Sequence, residues 1–189
     1  PRGTSQTQVN ASVCPACGQG HMCPFTIVEP IACDIGTYQD EFGQTVCKDC
    51  ASGQYQTAQG KSECETCPAG SSCANIFSAP LACEPGFYQP FDDRSECFAC
   101  AVGLYQAESG HTTCNACPAG SRCGNTYVAP TPCEVGSYQP LMNQTICLTC
   151  PAGQHQTLPQ QATCNACPRG FECPNVYTEP IACEPGKFQ

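Results

Sequence analysis

The sequence predicts a small disulfide-rich fold, mostly irregular with short β-strands. It is drawn out as an elongated rod of tandem 50-residue repeats with almost no helix. Three observations predict this: a very high cysteine content, a cysteine pattern that returns at one fixed interval, and Gly or Pro in every stretch long enough for a helix. Cysteine comes first. The chain has 189 residues, of which 22 are cysteine, or about 12%, above the ~8–10% at which a short secreted chain reads as a disulfide scaffold. Leu, Ile, Val and Phe together supply about 14% of the residues, below the ~20% expected of a chain with an ordinary core. Trp is absent, only 2 Met are present, and Gly and Pro contribute 17 and 18 residues. So little apolar volume cannot offset the conformational entropy of a chain this long, and a conventional single-core enzyme is disfavoured. Covalent closure has to substitute: a disulfide across a loop of about 15 residues contributes roughly 3 kcal/mol in the chain-entropy picture.

The repeat comes second. Cysteines stand at 14, 17, 23, 33, 47 and 50, and the whole set returns 50 residues later without a slip, through 164, 167, 173 and 183. Self-similarity at one period marks an array in which each unit contacts mainly its neighbours. The expected divisions are a partial repeat over 1–13, full repeats over 14–63, 64–113 and 114–163, and a partial repeat over 164–189. Pro1-Arg2-Gly3-Thr4-Ser5-Gln6 aligns with Pro151-Ala152-Gly153-Gln154-His155-Gln156, which follows Cys150. The sequence therefore reads as a window cut from a longer array, with a cysteine expected just before Pro1.

Local structure comes third. Within each repeat a shorter theme, Cys-x-x-Gly-x-Tyr-Gln, occurs from Cys33, Cys83 and Cys133, and again from Cys50 and Cys100, with His replacing Tyr in the copy from Cys150. A contracted version, CPAGSSC from Cys67 and CPAGSRC from Cys117, closes sooner. The repeat thus looks built from three related Cys-Gly turns plus a connector ending in Pro30, Pro80, Pro130 or Pro180. Glu84-Pro85-Gly86-Phe87 suits a type II turn, with Pro fixing φ and Gly allowing positive φ. The aromatics two residues beyond each glycine, Tyr38 to Phe188, are expected to pack on a disulfide or a neighbouring unit. An acidic, Gln-rich surface is expected to keep the array hydrated.

Six cysteines allow 15 pairings, so connectivity is open. The best candidates are the bonds that close the 13-residue loops: Cys33 to Cys47, Cys83 to Cys97, and Cys133 to Cys147. For the others, sequential pairing (100–114, 117–123) competes with crossed pairing (100–117, 114–123), and we lean to the crossed set. The run CPAGSSC…PLACEPGFYQ…C-x-x-C…GLYQAESGHTTC-x-x-C resembles the cysteine-rich repeats called ephrin-receptor-like. More distantly it is similar to modules of tumour necrosis factor receptors and EGF. The resemblance covers essentially the whole chain and implies an extracellular, disulfide-linked, elongated array without catalytic residues. Such repeats also occur in large surface proteins of algae and protists, some of them in fibrous appendages.

Rival constellations are weaker. Cys47-x2-Cys50-x13-Cys64-x2-Cys67 has the spacing of a four-cysteine zinc module and recurs at 97–117 and 147–167. Two further cysteines per repeat would be left over, so disulfides are preferred and no metal or cofactor is expected. Cys14-Pro15-Ala16-Cys17 has the form of a thiol-exchange motif, but no helix follows to lower the thiol pKa. Asn10-Ala11-Ser12 and Asn143-Gln144-Thr145 are N-glycan acceptor sequences late in Cys–Cys loops. His21, His111 and His155 occupy different repeat positions, and no catalytic set recurs in register.

The net charge of −9, from 7 basic and 16 acidic residues, argues against nucleic acid or an anionic membrane surface. No apolar run approaches the ~18–20 residues of a membrane-spanning helix, so no membrane insertion is expected within this segment. The sequence points to a non-enzymatic structural component of an extracellular or cell-surface fibre or matrix. Its expected partners are copies of itself, other extracellular fibre proteins and N-linked glycans. The alternatives are a ligand-binding receptor ectodomain, in which one unit should break the repeat, and a cysteine-rich surface antigen.

Overall fold

The computed structural model describes residues 2–5, 16–25, 29–184 and 186. Among them there is no helix, and regular structure is confined to two-residue strands. The chain divides into two compact units. One is Pro1–Cys83 with Gln89–Phe98 and Gly110–Thr112; the other is Glu84–Tyr88 with Ala99–Ser109 and Thr113–Gln189.

Each structural step begins with the Cys-x-x-Gly turn. At Glu84-Pro85-Gly86-Phe87 the Phe87 N–H donates to the Glu84 carbonyl at 3.0 Å, and Gly86 has φ +87°. A closed turn with positive φ at its third residue is the type II geometry expected from Pro followed by Gly. The same i to i+3 bond closes the turns at Thr37, Gln54, Ser71, Leu104, Ser121, Ser137 and Gln154. A two-residue strand follows each turn because the chain is then claimed by the next disulfide loop, which leaves no room for a longer ladder.

In the first unit β1 (His21–Met22) pairs with β2 (Ile31–Ala32), and β3 (Thr37–Tyr38) with β4 (Lys48–Asp49). There β5 (Gln54–Tyr55) pairs with β6 (Glu65–Thr66), and β7 (Ser71–Ser72) with β8 (Leu81–Ala82). Along the chain β9 (Phe87–Tyr88) and β10 (Phe98–Ala99) come next. In the second unit β11 (Leu104–Tyr105) pairs with β12 (Asn115–Ala116), and β13 (Ser121–Arg122) with β14 (Thr131–Pro132). It is completed by β15 (Ser137–Tyr138) with β16 (Leu148–Thr149), β17 (Gln154–His155) with β18 (Asn165–Ala166), and β19 (Phe171–Glu172) with β20 (Ile181–Ala182). All these pairs are antiparallel hairpins of neighbouring strands.

Among the described residues ten disulfides staple the hairpins, each joining a cysteine to the next one in sequence. Bonds of sequence separation 14 join Cys33 to Cys47, Cys50 to Cys64, Cys83 to Cys97, Cys100 to Cys114, Cys133 to Cys147 and Cys150 to Cys164. Bonds of separation 6 join Cys17 to Cys23, Cys67 to Cys73, Cys117 to Cys123 and Cys167 to Cys173. The pairing is therefore sequential, and the crossed set is not found. The reason lies in the hairpins. In the long loops the antiparallel pair brings the cysteine before the turn to the cysteine before the return strand, 5.8 Å apart, Cα to Cα, at Cys100 and Cys114. In the short loops the turn itself brings the cysteine before it to the one that follows its first strand, 5.8 Å apart at Cys67 and Cys73. That distance lies inside the range a disulfide spans without backbone movement.

Successive turns are tied by a second ladder. In the first unit Gly36 N–H donates to the Gln56 carbonyl (2.7 Å) and Cys50 N–H to the Gly36 carbonyl (2.9 Å). In the second unit Gly136 and Gln156, and Cys150 and Gly136, repeat these bonds at 2.7 and 2.9 Å. The turn glycines at 20, 36, 53 and 70, and at 86, 103, 120, 136, 153 and 170, all have positive φ and stand 16 or 17 residues apart. The structural step is thus the single turn, taken three times per 50 residues.

The interior is made of sulfur and amide. Among the described residues the buried apolar side chains are all cysteines, whereas Leu81 is 69% and Val102 83% exposed. Gln39, Gln56, Gln89, Gln106, Gln139 and Gln156 are buried, each at 3% exposure or less. This corrects the expectation that glutamine belongs to the hydrated surface. The Gln that follows the motif aromatic turns inward and staples its own loop. Gln56 Nε2 donates to the Glu63 carbonyl at 3.0 Å, while its Oε1 accepts the Ala58 N–H at 3.0 Å. Gln139 does the same with Ile146 (2.8 Å) and Leu141 (3.1 Å). A side chain that carries both a donor and an acceptor is what a loop with no apolar core needs at its centre.

Candidate interaction surface

The disulfide pattern decides what the cysteines can do. Of the quartet with zinc-module spacing, Cys47 is bonded to Cys33, Cys50 to Cys64, and Cys67 to Cys73. A thiol in a disulfide is no metal ligand, and among the described residues no three His, Cys, Asp or Glu are grouped to hold an ion. Cys17 of the Cys-x-x-Cys pair is bonded to Cys23, and Cys14 lies outside the described residues. The histidines stay apart. His21 Nδ1 lies 3.1 Å from the Gln19 carbonyl, and His155, standing where Tyr55 and Tyr105 stand in earlier turns, is buried with Nδ1 3.8 Å from Cys173 Sγ.

Surface chemistry is more informative. In the first unit, Lys48 Nζ on β4 bonds Asp40 Oδ1 at 2.7 Å, lies 3.6 Å from Glu41 Oε1, and sits 6.0 Å from the Tyr38 ring centre. The hydrogen bond from Lys48 holds the Asp40 carboxyl below its ordinary pKa, and the same bond pushes the Lys48 ammonium above its own. Both side chains are exposed, so the pair orients its loop more than it stabilises the fold. Across the β5–β6 hairpin the Tyr55 hydroxyl donates to Glu65 Oε2 at 2.8 Å, which raises the phenol pKa by favouring its protonated form.

The second unit holds an open cleft of about 360 Å³ lined by Arg122, Pro132, Glu134, Ser137 and Ile146. A smaller hollow of about 120 Å³ shares Arg122 and includes Asn125, Val128 and Thr131. Arg122 stands on β13 directly across from Thr131. In the other repeats its position holds Met22, Ser72 or Glu172, so this guanidinium breaks the repeat. Exposed apolar side chains, by contrast, follow the repeat. Ile31, Leu81 and Ile181 occupy one register position, and Phe77, Tyr127 and Tyr177 another.

Of the two acceptor sequences, Asn10 lies outside the described residues. Asn143 is exposed, has φ +61°, and its backbone N–H donates to the Cys117 carbonyl at 2.8 Å. Sequence reading missed the buried glutamines and the left-handed tip at residue 143. The signal for both was present: Gln recurs at one offset from cysteine, as in Gln39 after Cys33 and Gln56 after Cys50, and Asn143 aligns with Gly43.

Among known families, the one described as "Tyrosine-protein kinase ephrin type A/B receptor-like" matches residues 86–127. No curated protein matches the chain. The matched segment carries two of the Cys-Gly turns, at Gly103 and Gly120, and the bonds Cys100–Cys114 and Cys117–Cys123. Such a module is of extracellular, receptor type and is not a catalytic domain. The ten disulfides among the described residues fit the oxidising side of a cell surface. Among the described residues no helix is long and apolar enough to cross a membrane. The match, together with the disulfide pattern repeated every 50 residues, identifies an ephrin-receptor-like cysteine-rich repeat.

Proposed function

We propose that this chain is a non-enzymatic structural segment of an extracellular or cell-surface fibre or matrix, a disulfide-stapled array that associates with copies of itself or with other fibre proteins. The observation that carries this reading is the recurrence, in both units, of the same backbone bonds from turn to turn. Gly20 to Gln39, Gly70 to Gln89 and Gly120 to Gln139 are all 2.8 Å. A stack whose step repeats presents any lateral contact again at every period, as Ile31 and Leu81 do in the first unit. Electron microscopy of native material labelled with an antibody to this chain tests it. Filaments decorated at a regular interval support the fibre; label confined to dispersed single molecules holding a soluble ligand rules it out.

A receptor-type ligand site is the second reading, and Arg122 is the observation that favours it. It is a cation in a cleft on an acidic chain, at a position where the other repeats have none. An ectodomain whose ligand binding is lost on Arg122→Ser, the residue at the equivalent position 72, would replace the fibre reading.

A further inference from the structure

Among the described residues, the tip of every 13-residue disulfide loop has the same backbone. Gly43, Gly60, Asp93, Gly110, Asn143 and Gln160 occupy this place, and all six have positive φ, between +56° and +80°. The three non-glycine residues with positive φ among the described residues are all found here. Asn and Asp tolerate this conformation better than other side chains, so the identity of Asn143 already has a backbone explanation.

The residue two places on also recurs. The tips read Gly43-Gln44-Thr45, Gly60-Lys61-Ser62, Asp93-Arg94-Ser95, Gly110-His111-Thr112 and Asn143-Gln144-Thr145; only Gln160-Gln161-Ala162 lacks the hydroxyl. A left-handed tip that favours Asn, followed at that spacing by Ser or Thr, meets the acceptor rule for N-linked glycans whenever the tip is Asn. The tip also has room for a side chain. A Cβ added at Gly43, Gly60 or Gly110 meets nothing closer than 3.6 Å, whereas one added at the turn glycines Gly20, Gly70 or Gly120 would meet backbone oxygen at 2.1–2.3 Å. Asp93 and Asn143 are exposed. The Asn143 tip, besides, carries no charge, with Leu141 and Met142 exposed beside it.

We propose that the left-handed loop tip is a glycan acceptor position built into the repeat. It is used at Asn143, where the sugar hydrates an otherwise apolar tip, and is latent at Gly43, Gly60, Asp93 and Gly110. The proposal rests on the extracellular reading and is independent of fibre formation. The test secretes the chain from a eukaryotic host and maps glycans by peptide mass spectrometry, with and without N-glycosidase. Asn143 is expected to be occupied, and Asn143→Asp to lose that glycan. Asp93→Asn, followed by Arg94-Ser95, should gain one glycan, with all ten disulfides intact and Tm within about 2 °C of the parent. Gln160→Asn, with Ala162 beyond it, should gain none. If Asp93→Asn is not secreted, Gly60→Asn decides in its place. A secreted, fully disulfide-bonded chain bare at Asn143, a tip variant secreted without its glycan, or glycosylated tip variants that lose disulfides would each overturn the proposal. Failure to form disulfides at all would instead strike at the extracellular reading itself, and the proposal would fall with it.

Discussion

Gln56 is 2% exposed, and its amide satisfies two backbone groups of its own loop, the Glu63 carbonyl and the Ala58 N–H. Truncation strands both. A buried polar group left without its partner costs about 1–3 kcal/mol, so Gln56→Ala should destabilise its unit by roughly 2–4 kcal/mol. Chemical denaturation should show this as a drop in midpoint, and Gln56→Leu, closer in volume, should not restore it. A result within about 0.5 kcal/mol of the parent would mean that solvent reaches those groups. Tyr55 gives a prediction of different character. Its phenol donates to Glu65, and its pKa is raised above 10.0 mainly by that bond. A raised pKa means that the contribution is whole below the ordinary phenol range and is lost as pH rises through the raised value. Ultraviolet titration should therefore find Tyr55 ionising late, and Glu65→Gln should bring it back down. At this scale the sequence was half legible. The recurrent Gln was visible in the motif, but composition alone cannot tell a hydrated amide from one turned in to replace a missing core.

The turn and the loop tip both use glycine at positive φ, and for different reasons. Gly70 has φ +79°, and a Cβ placed on it would lie 2.2 Å from the Gly110 carbonyl oxygen. Gly110 has φ +80°, but its Cβ would reach nothing nearer than the Ala82 Cβ at 3.8 Å. The conformational penalty of about 1–2 kcal/mol applies to both; steric conflict with backbone applies only to the turn. Gly110→Ala should therefore cost about 1–2 kcal/mol, and Gly70→Ala about 3 kcal/mol or more, since two turns of the stack must separate. Equal losses in a thermal melt would show that the turns are not packed as closely as these distances require. The turns themselves could be read from Cys-x-x-Gly because Pro and Gly fix dihedrals locally. The sequential disulfides could not, because their choice depends on hairpin pairing, and strands of two residues leave no alternation in the sequence to reveal it. Loop tips were hidden for a related reason: Gly43, Asp93 and Asn143 share a conformation but not a side chain.

Across the whole molecule the fold depends on bonds that a reductant can remove. The buried apolar side chains among the described residues are cysteines, so the groups that fill the interior are also the groups that close the chain. A disulfide over a loop of about 15 residues contributes about 3 kcal/mol by restricting the unfolded chain, and six of the ten among the described residues close loops of that length. Among the described residues no apolar cluster stands behind them, since Phe42, Leu81, Phe91, Leu141 and Ile146 are exposed. Reduction should then unfold the chain at room temperature without denaturant, a stronger outcome than the partial loosening expected of a domain with a hydrophobic core. The same cysteine spacing also admits zinc, and zinc would give the opposite response. Removing metal unfolds a zinc module, while a disulfide stack is indifferent to it. Incubation with a strong chelator should leave the amide spectrum of the native chain dispersed and its mass unchanged. A phosphine reductant should collapse that dispersion and raise the mass by two hydrogens per broken bond. Collapse on chelation, or a dispersed spectrum after complete reduction, would mean that something other than these bonds holds the turns in register.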